Sequence, residues 1–328
     1  MVGAGATHRR VGCLPVRAAT IREHELLIEE HPDPSPGTGE VLVRVRAAGL
    51  NGGDIMQLRG LYPAPPGWPA DIPGMELAGE VASLGPGAAR FAPGQRVMAI
   101  VGGGAQAELC VVHERQLMGV PAALDWPAAG GLPEVFTTAH DALFTQAGLR
   151  PGEHLLVHGG AGGVGTAAIQ LARAAGARVK GSVRREQQRA GVAALGASVI
   201  DPGEVDEHGP YDVILELVGA PNLQANVQAL ATGGRIAVIG VSAGATGELN
   251  LLALMAKRAR IHGSTLRARP PEEKALVARR LEHEVLPLFE SGELQVPVAA
   301  TFPLAQVAEA YERFAAGGKL GKIVLRLE

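Results

Sequence analysis

Three glycines, Gly160, Gly162 and Gly165, stand at the spacing G-x-G-x-x-G inside EHLLVHGGAGGVGTAAIQLARAAGARVK. At that spacing the first glycine permits a tight turn and the second lets a pyrophosphate approach the backbone. The third lets a helix pack closely on a strand. The apolar run Leu155, Leu156, Val157 precedes them, and Gly163 and Val164 open an Ala-, Ile- and Leu-rich helical stretch. Such a helix aims free backbone N–H groups and the positive end of its dipole at phosphate. A chain with 45 glycines produces this spacing by chance as well, so the alternative is a Gly-rich connection that binds nothing. The strand-turn-helix context argues for a dinucleotide cradle.

A second strand, Arg178 to Gly181, completes a βαβ unit once Gly176 ends the helix. An acid that holds a ribose 2′-OH is expected at the end of that strand, about 20 residues beyond the glycines. In GSVRREQQ no acid precedes Glu186, and Ser182, Arg184 and Arg185 stand there instead. One hydroxyl and two guanidinium groups suit a dianionic 2′-phosphate, which predicts NADPH as the cofactor. The plainer reading is that both arginines open a solvated helix.

Residues of this kind need a scaffold, and the chain falls into three rhythms. From Arg17 to about Val120, short runs such as VLVRVRAA, ELAGEVASLG, QRVMAI and AELCVV alternate with Pro- and Gly-rich turns, as in a β-rich domain. From Glu134 to Ala268, strand and helix alternate through ASVI, YDVILELVG, GRIAVIG and ARIHGSTL, as in a doubly wound parallel sheet. After Pro270 and Pro271 one helix is predicted to about Ser291, then a helix in FPLAQVAEAYERFAAGG and a closing strand KIVLRLE. The expected domains are a tail over 1–16, a β-rich domain over 17–133 and 270–328, and an α/β domain over 134–269.

Composition excludes several classes. The 328 residues carry a net charge of −3 and no basic footprint for nucleic acid. The two cysteines, Cys13 and Cys110, cannot supply a disulfide framework or a thiolate cage, and Cys110 in AELCVV reads as a small buried hydrophobe. No apolar run approaches a membrane span, and the N-terminal patch, broken by Pro15, is too short for an export signal. A soluble, cytoplasmic protein is expected.

From Arg17 onward the chain resembles the zinc-independent quinone oxidoreductases of the medium-chain dehydrogenase/reductase superfamily. The resemblance lies in AAGLNGGDIMQLRGLYPAPPG, GMELAGEVASLGPG, PGQRVMAIVGGGAQAE, LPEVFTTAHDAL, HGGAGGVGTAAIQLA and GKLGKIVL. The spacing from LNGGD to GGGAQAE is similar to that of the branch typified by the tumour-suppressor-inducible quinone oxidoreductase of animals. It implies an α/β fold in which a GroES-like catalytic domain, completed by the C-terminal segment, flanks a Rossmann NADP-binding domain.

Zinc-dependent cousins carry a cysteine at the position of Asn51 and a histidine at that of Met75, and a methionine cannot replace an imidazole on zinc. The resemblance therefore implies no catalytic zinc, and the structural four-cysteine lobe is absent too. His113, His140 and His158 show no paired ligand spacing and read as ordinary core or surface histidines. Without a metal to polarise an alcohol, hydride transfer to an electron-poor acceptor is the expected reaction. Such an acceptor is a quinone, or an alkene conjugated to a carbonyl as in an enone or alkenal. A rival of another class is a non-catalytic NADPH-binding redox sensor.

The resemblance places Asn51, Asp54 and Tyr62 in the catalytic cleft. Thr138, Val218, Gly240, Leu266 and Lys322 join the glycine turn around the cofactor. Tyr62 either stacks on the substrate or packs on Trp68 or a proline, and Asp54 either faces the site or caps the helix DIMQLRG. Relatives carry an adenine-flanking tyrosine where Ile200, Asp201 and Pro202 stand here. The resemblance also implies a homodimer joined edge to edge through ARIHGSTL.

Overall fold

The computed structural model describes residues 15–327. The expected tail lies outside the described residues up to position 14, as does Cys13. The first described strand, Val16–Arg22, pairs antiparallel with Glu25–His31.

A seven-stranded sheet forms the β-rich domain, in the order Val298–Pro303, Lys322–Arg326, Glu40–Gly49, Glu76–Leu84, Arg96–Ile100 and Met118–Gly119, with Leu109–His113 also paired to Glu40–Gly49. Glu40–Gly49 shows why these segments are strands. Val41, Val43 and Val45 are buried while Arg44 faces solvent, the period-2 alternation of a half-covered sheet. The closing strand runs antiparallel to it with Val324 opposite Gly49 and Leu325 opposite Ala48. That register carries Lys322 to the end of Glu40–Gly49, beside Leu50 and Asn51.

The second sheet is wholly parallel and six-stranded: Ser198–Ile200, Arg178–Ser182, His154–Val157, Tyr211–Glu216, Leu230–Val238, Arg260–Gly263. Its central strands are buried on both faces, including Leu155, Leu156, Val213, Ile214 and Leu215, which accounts for continuous apolar runs in place of alternation. Chain order reverses between His154–Val157 and Tyr211–Glu216. Ligands of open α/β sheets bind at the carboxyl ends of strands flanking such a switch point. The α/β class and its two expected sheets are thus present.

One element differs from expectation. The helix predicted from Pro271 to Ser291 is two helices, Pro271–Glu284 and Leu286–Glu290. Val285, between them, is stretched to φ −118° while its N–H still bonds to the Leu281 carbonyl, because Pro287 lacks the N–H that would bond back into the preceding turn and its ring crowds that turn. Leu281, Val285 and Phe289 enter one apolar cluster with Phe136 and Leu155, and Phe289 meets Phe136 edge to face at 4.8 Å.

Candidate active site

The crossing at Gly165 is as the spacing requires, but the sharp turn falls at Gly159, one residue before the motif, and Gly160 has no positive φ. The strand His154–Val157 ends, Gly159 turns the chain at φ +65°, and the helix Gly163–Ala174 begins with Gly162 as its N-cap. A Cβ at position 165 would lie 2.4 Å from the Gly159 carbonyl oxygen and 2.9 Å from the Gly160 Cα. Only glycine permits so close a crossing of helix and turn. Position 162 is open by comparison, since its nearest heavy atom would be 3.4 Å away. The first-turn N–H groups, at Gly163, Val164 and Gly165, have no partner within the helix. An open glycine before free, aligned donors fits a pyrophosphate.

The C-terminal segment docks on this turn. Gly321 N–H donates to the Ala161 carbonyl at 2.9 Å, and the aliphatic stem of Lys322 covers Gly163, where a Cβ would meet its Cδ at 2.9 Å. Gly321 sits at φ +79°, and a Cβ there would fall 2.0 Å from the Pro297 carbonyl oxygen, so the approach demands glycine.

From there Lys322 runs inward to a buried polar cluster. Its ammonium donates to the Leu50 carbonyl, to Asn51 Oδ1 and to Glu76 Oε1, each at 2.7 Å. Those bonds use all three of its N–H groups. Asn51 Nδ2 also donates to Glu76 Oε1 at 2.9 Å, while Glu76 Oε2 accepts the Glu134 N–H at 2.8 Å. Glu76 is fully buried and Lys322 nearly so. Where zinc-dependent cousins present a cysteine and a histidine, this chain presents a neutral amide and the apolar Met75, and the local cation is an ammonium. No group of three or more His, Cys, Asp or Glu suited to a metal occurs among the described residues.

Around this cluster Asp54 caps the helix Gly52–Leu58: its carboxylate accepts from Asn51 N at 2.8 Å and from Gly74 N at 3.1 Å. Burial raises its pKa to about 6 against the pull of those bonds. Thr138, on the helix Pro133–His140, donates to Glu134 Oε1 at 3.2 Å. Burial, followed by repulsion from Glu76, raises the Glu134 carboxyl to about 7. The partner that the structure gives the Tyr62 ring is Arg267. Arg267 lies 4.9 Å from its ring centroid and donates to its carbonyl at 2.9 Å. Burial raises the pKa of the Tyr62 phenol. Sequence reasoning missed Glu76, Glu134 and Arg267 as site residues, although the first two lie in the motifs GMELAGEV and LPEVFTTA.

The remaining cofactor candidates ring the switch point. Glu216 closes its strand, and Oε1 accepts from Val218 N at 2.6 Å and Gly219 N at 2.8 Å, shaping the loop that holds Val218. Gly240 crosses Leu217 so closely that a Cβ would sit 2.6 Å from its carbonyl oxygen. Leu266, beyond the strand Arg260–Gly263, is buried. At the end of Arg178–Ser182 the three 2′-phosphate candidates diverge. Ser182 is buried and bonded to His158 Nδ1 at 3.1 Å. Asn226 gives its amide N–H to Glu216, so its Oδ1 accepts from His158 Nε2. In the uncharged ring Nδ1 then takes the Ser182 hydroxyl proton. Arg185 donates to the Ala316 carbonyl at 3.2 Å, while Arg184 is exposed. His140 is bonded to Glu284, His113 caps a short turn at Arg115, and burial pushes the Cys110 thiol up to about 12.

Two protein families match: residues 37–144 as an alcohol dehydrogenase GroES-like domain, and residues 195–325 as a zinc-binding dehydrogenase. Quinone oxidoreductase of Homo sapiens is 33% identical over 307 residues, covering 90% of this chain and 91% of that one. Quinone oxidoreductase-like protein 2 homolog of Nematostella vectensis is 30% identical, covering 88% and 82%. Among solved structures, an alcohol dehydrogenase superfamily protein from Novosphingobium aromaticivorans superposes with a TM-score of 0.86 at 32% identity, over 95% of this chain and 100% of that one. An NAD-dependent alcohol dehydrogenase does so with a TM-score of 0.85 at 30% identity, over 95% and 100%.

Proposed function

The chain belongs to the medium-chain dehydrogenase/reductase superfamily, and on that premise we propose that it is an NADPH-dependent quinone reductase that works without a metal. The observation that carries the reading is the ammonium of Lys322, tied to Asn51 and Glu76 where cousins hold zinc, on a segment docked to the glycine turn. A nicotinamide dinucleotide held by Gly160 to Gly165, Val218, Gly240 and Leu266 would supply a hydride. The chain's own groups then have to orient the acceptor and stabilise charge. A quinone gains negative charge on oxygen when reduced, and fixed positive groups in a site of low dielectric favour that charge. Lys322 and Arg267 provide them, Tyr62 offers a phenolic donor, and Glu134 holds a proton on its carboxyl below about pH 7. An alcohol substrate would need its hydroxyl polarised, and the N–H groups of Lys322 are already committed to Leu50, Asn51 and Glu76.

A panel of quinones against enones and alkenals, scored by NADPH consumption, tests the choice of acceptor. Higher kcat/KM on quinones is expected; preference for alkenals would move the chain to double-bond reduction, and NADPH binding with no turnover to a sensor role.

NADPH preference rests on the missing acid and on Arg184, since the Ser182 proton is committed to His158 and Arg185 is drawn to Ala316. Arg184→Ala should weaken NADPH about tenfold, roughly the worth of one charge-assisted bond, and leave NADH little changed. Equal use of both cofactors by the unaltered protein would refute the 2′-phosphate reading.

Assembly as a homodimer is part of the proposal. Arg260–Gly263 ends the parallel sheet with one edge unpaired, and the preceding helix Leu251–Lys257 leaves Leu251, Leu252 and Met255 64%, 75% and 70% exposed. An open edge beside an apolar patch is stabilised by a second copy about a two-fold axis. Light scattering should give twice the chain mass, and Ile261→Pro, which removes a ladder donor, should shift the protein toward monomer. A monomer with full activity at micromolar concentration would refute it. A cytoplasmic location is likewise part of the proposal; among the described residues no helix is long and apolar enough to cross a membrane.

A further inference from the structure

Beside the candidate active site, a cavity of about 760 Å³ opens between the 65–69 loop, Gly103-Gly104 and the start of the helix Pro271–Glu284. That volume lies in the range of small-molecule sites, roughly 300–1,000 Å³. Two buried cations line it. Lys274 is 9% exposed and Arg267 4% exposed. Arg267 donates to three neutral oxygens, those of Gly102, Tyr62 and the Gln57 amide. Lys274 lies 5.4 Å from the Trp68 ring centroid and has no carboxylate in bonding contact among the described residues. Two acids also line the cavity, and both are engaged elsewhere: Asp71 by Arg22 at 2.7 Å, and Glu40 by the Gly37 N–H at 2.7 Å.

The Asp54 carboxylate lies within electrostatic reach of Arg267, but Lys274 has no such partner among the described residues, and burying an ammonium beside a guanidinium without its own anion is costly. Burial, then the charge of Arg267, depresses the Lys274 pKa. An anion in the cavity would relieve both effects. A neighbouring void links this cavity to the cleft. Gln116 and Lys274 also line a smaller void, about 20 Å³, that reaches Thr137 and Leu266. Gln116 Oε1 and Thr137 Oγ1 are buried there without a hydrogen-bond partner. The cationic cavity and the residues expected beside the nicotinamide therefore share a wall.

We propose that Lys274, backed by Arg267 and Trp68, anchors a carboxylate carried by the hydride acceptor, so that the preferred substrate is an acidic, ring-bearing quinone or conjugated carbonyl compound. The word substrate rests on the reductase reading above; the anion site does not.

The test pairs a benzoquinone bearing a carboxyalkyl side chain with its methyl ester, which leaves the electronics of the ring alike. The acid should be reduced with kcat/KM at least tenfold above the ester, and Lys274→Met should bring that ratio to about one while Lys274→Arg keeps it well above one. In parallel, benzoate is titrated calorimetrically into the unaltered protein and the Met variant, with binding expected only in the first. Benzoate binding that depends on Lys274, with no quinone turned over, would support the anion site and remove the reductase reading. Quinone turnover with no preference for the acid and no benzoate binding would overturn the anion site and leave the reductase standing. A preference that survives Lys274→Met overturns it as well. If the Met variant does not fold, competition settles it: benzoate competing with the ester in the unaltered protein supports the site, and absence of inhibition overturns it.

Discussion

Lys322→Met is expected to abolish quinone reduction and to destabilise the fold by about 3–5 kcal/mol, the cost of leaving one partner of a buried ion pair uncompensated. The side chain keeps an apolar stem one atom shorter and loses the charge, so Glu76 and Asn51 lose their shared donor while the cover over Gly163 remains. Removing the opposing charge as well separates the two effects. Lys322→Met with Glu76→Gln should recover part of the stability, because the buried carboxylate charge is removed together with its partner and the amide oxygen can still accept one of the two bonds from Asn51 and the Glu134 N–H, but it should not recover turnover. Urea unfolding of the two single variants and the double variant measures the coupling. Additive losses would mean that the pair is not a unit, and full activity of Lys322→Met would remove the ammonium from the chemistry.

Gly165→Ala is expected to lower NADPH affinity at least a hundredfold at a cost of about 1–3 kcal/mol in stability, the usual range for overpacking. The added Cβ would sit 2.4 Å from a backbone oxygen, and neither the helix nor the turn can yield without displacing the N–H groups that point at phosphate. Gly160→Ala is the comparison, since its Cβ would meet its nearest neighbour, the Gly181 Cα, at 3.4 Å, a mild contact. Calorimetric titration of NADPH should separate the two variants clearly. Equal affinities would mean that the turn does not hold the phosphates.

These two sites differ in how far the sequence alone could announce them. The glycine turn is local: each backbone requirement selects a residue type at a fixed offset, so strand, turn, helix and ligand class follow from neighbouring residues. The parallel sheet followed for a similar reason, because strands covered on both faces must be apolar throughout. Lys322 and Asn51 are 271 positions apart, and only the register of the closing strand against Glu40–Gly49 brings them together. Strand pairing between distant segments leaves no local mark. The resemblance names Lys322 as a cofactor contact, whereas the structure commits all its N–H groups to Leu50, Asn51 and Glu76. Glu134 is hard to single out because an acid in the first turn of a helix ordinarily answers the helix dipole, and its raised pKa comes from burial beside Glu76. Trp68 and the prolines are the partners that the local sequence offers Tyr62, yet its ring neighbour, Arg267, arrives from the far side of the cleft. The break at Val285 is legible in the sequence, since Pro287 stands inside the predicted helix, but the apolar pattern continuing to Phe289 obscures it.

The central claim is that the cradle and the ammonium cluster together reduce quinones with NADPH and without a metal. Its most direct test is the steady-state rate of NADPH oxidation by a benzoquinone after exhaustive chelation, set against oxidation of a primary alcohol with NADP+ by the same preparation. Undiminished quinone reduction with no alcohol oxidation is the predicted result. Stoichiometric zinc lost together with activity, or alcohol oxidation restored by adding zinc, would contradict it.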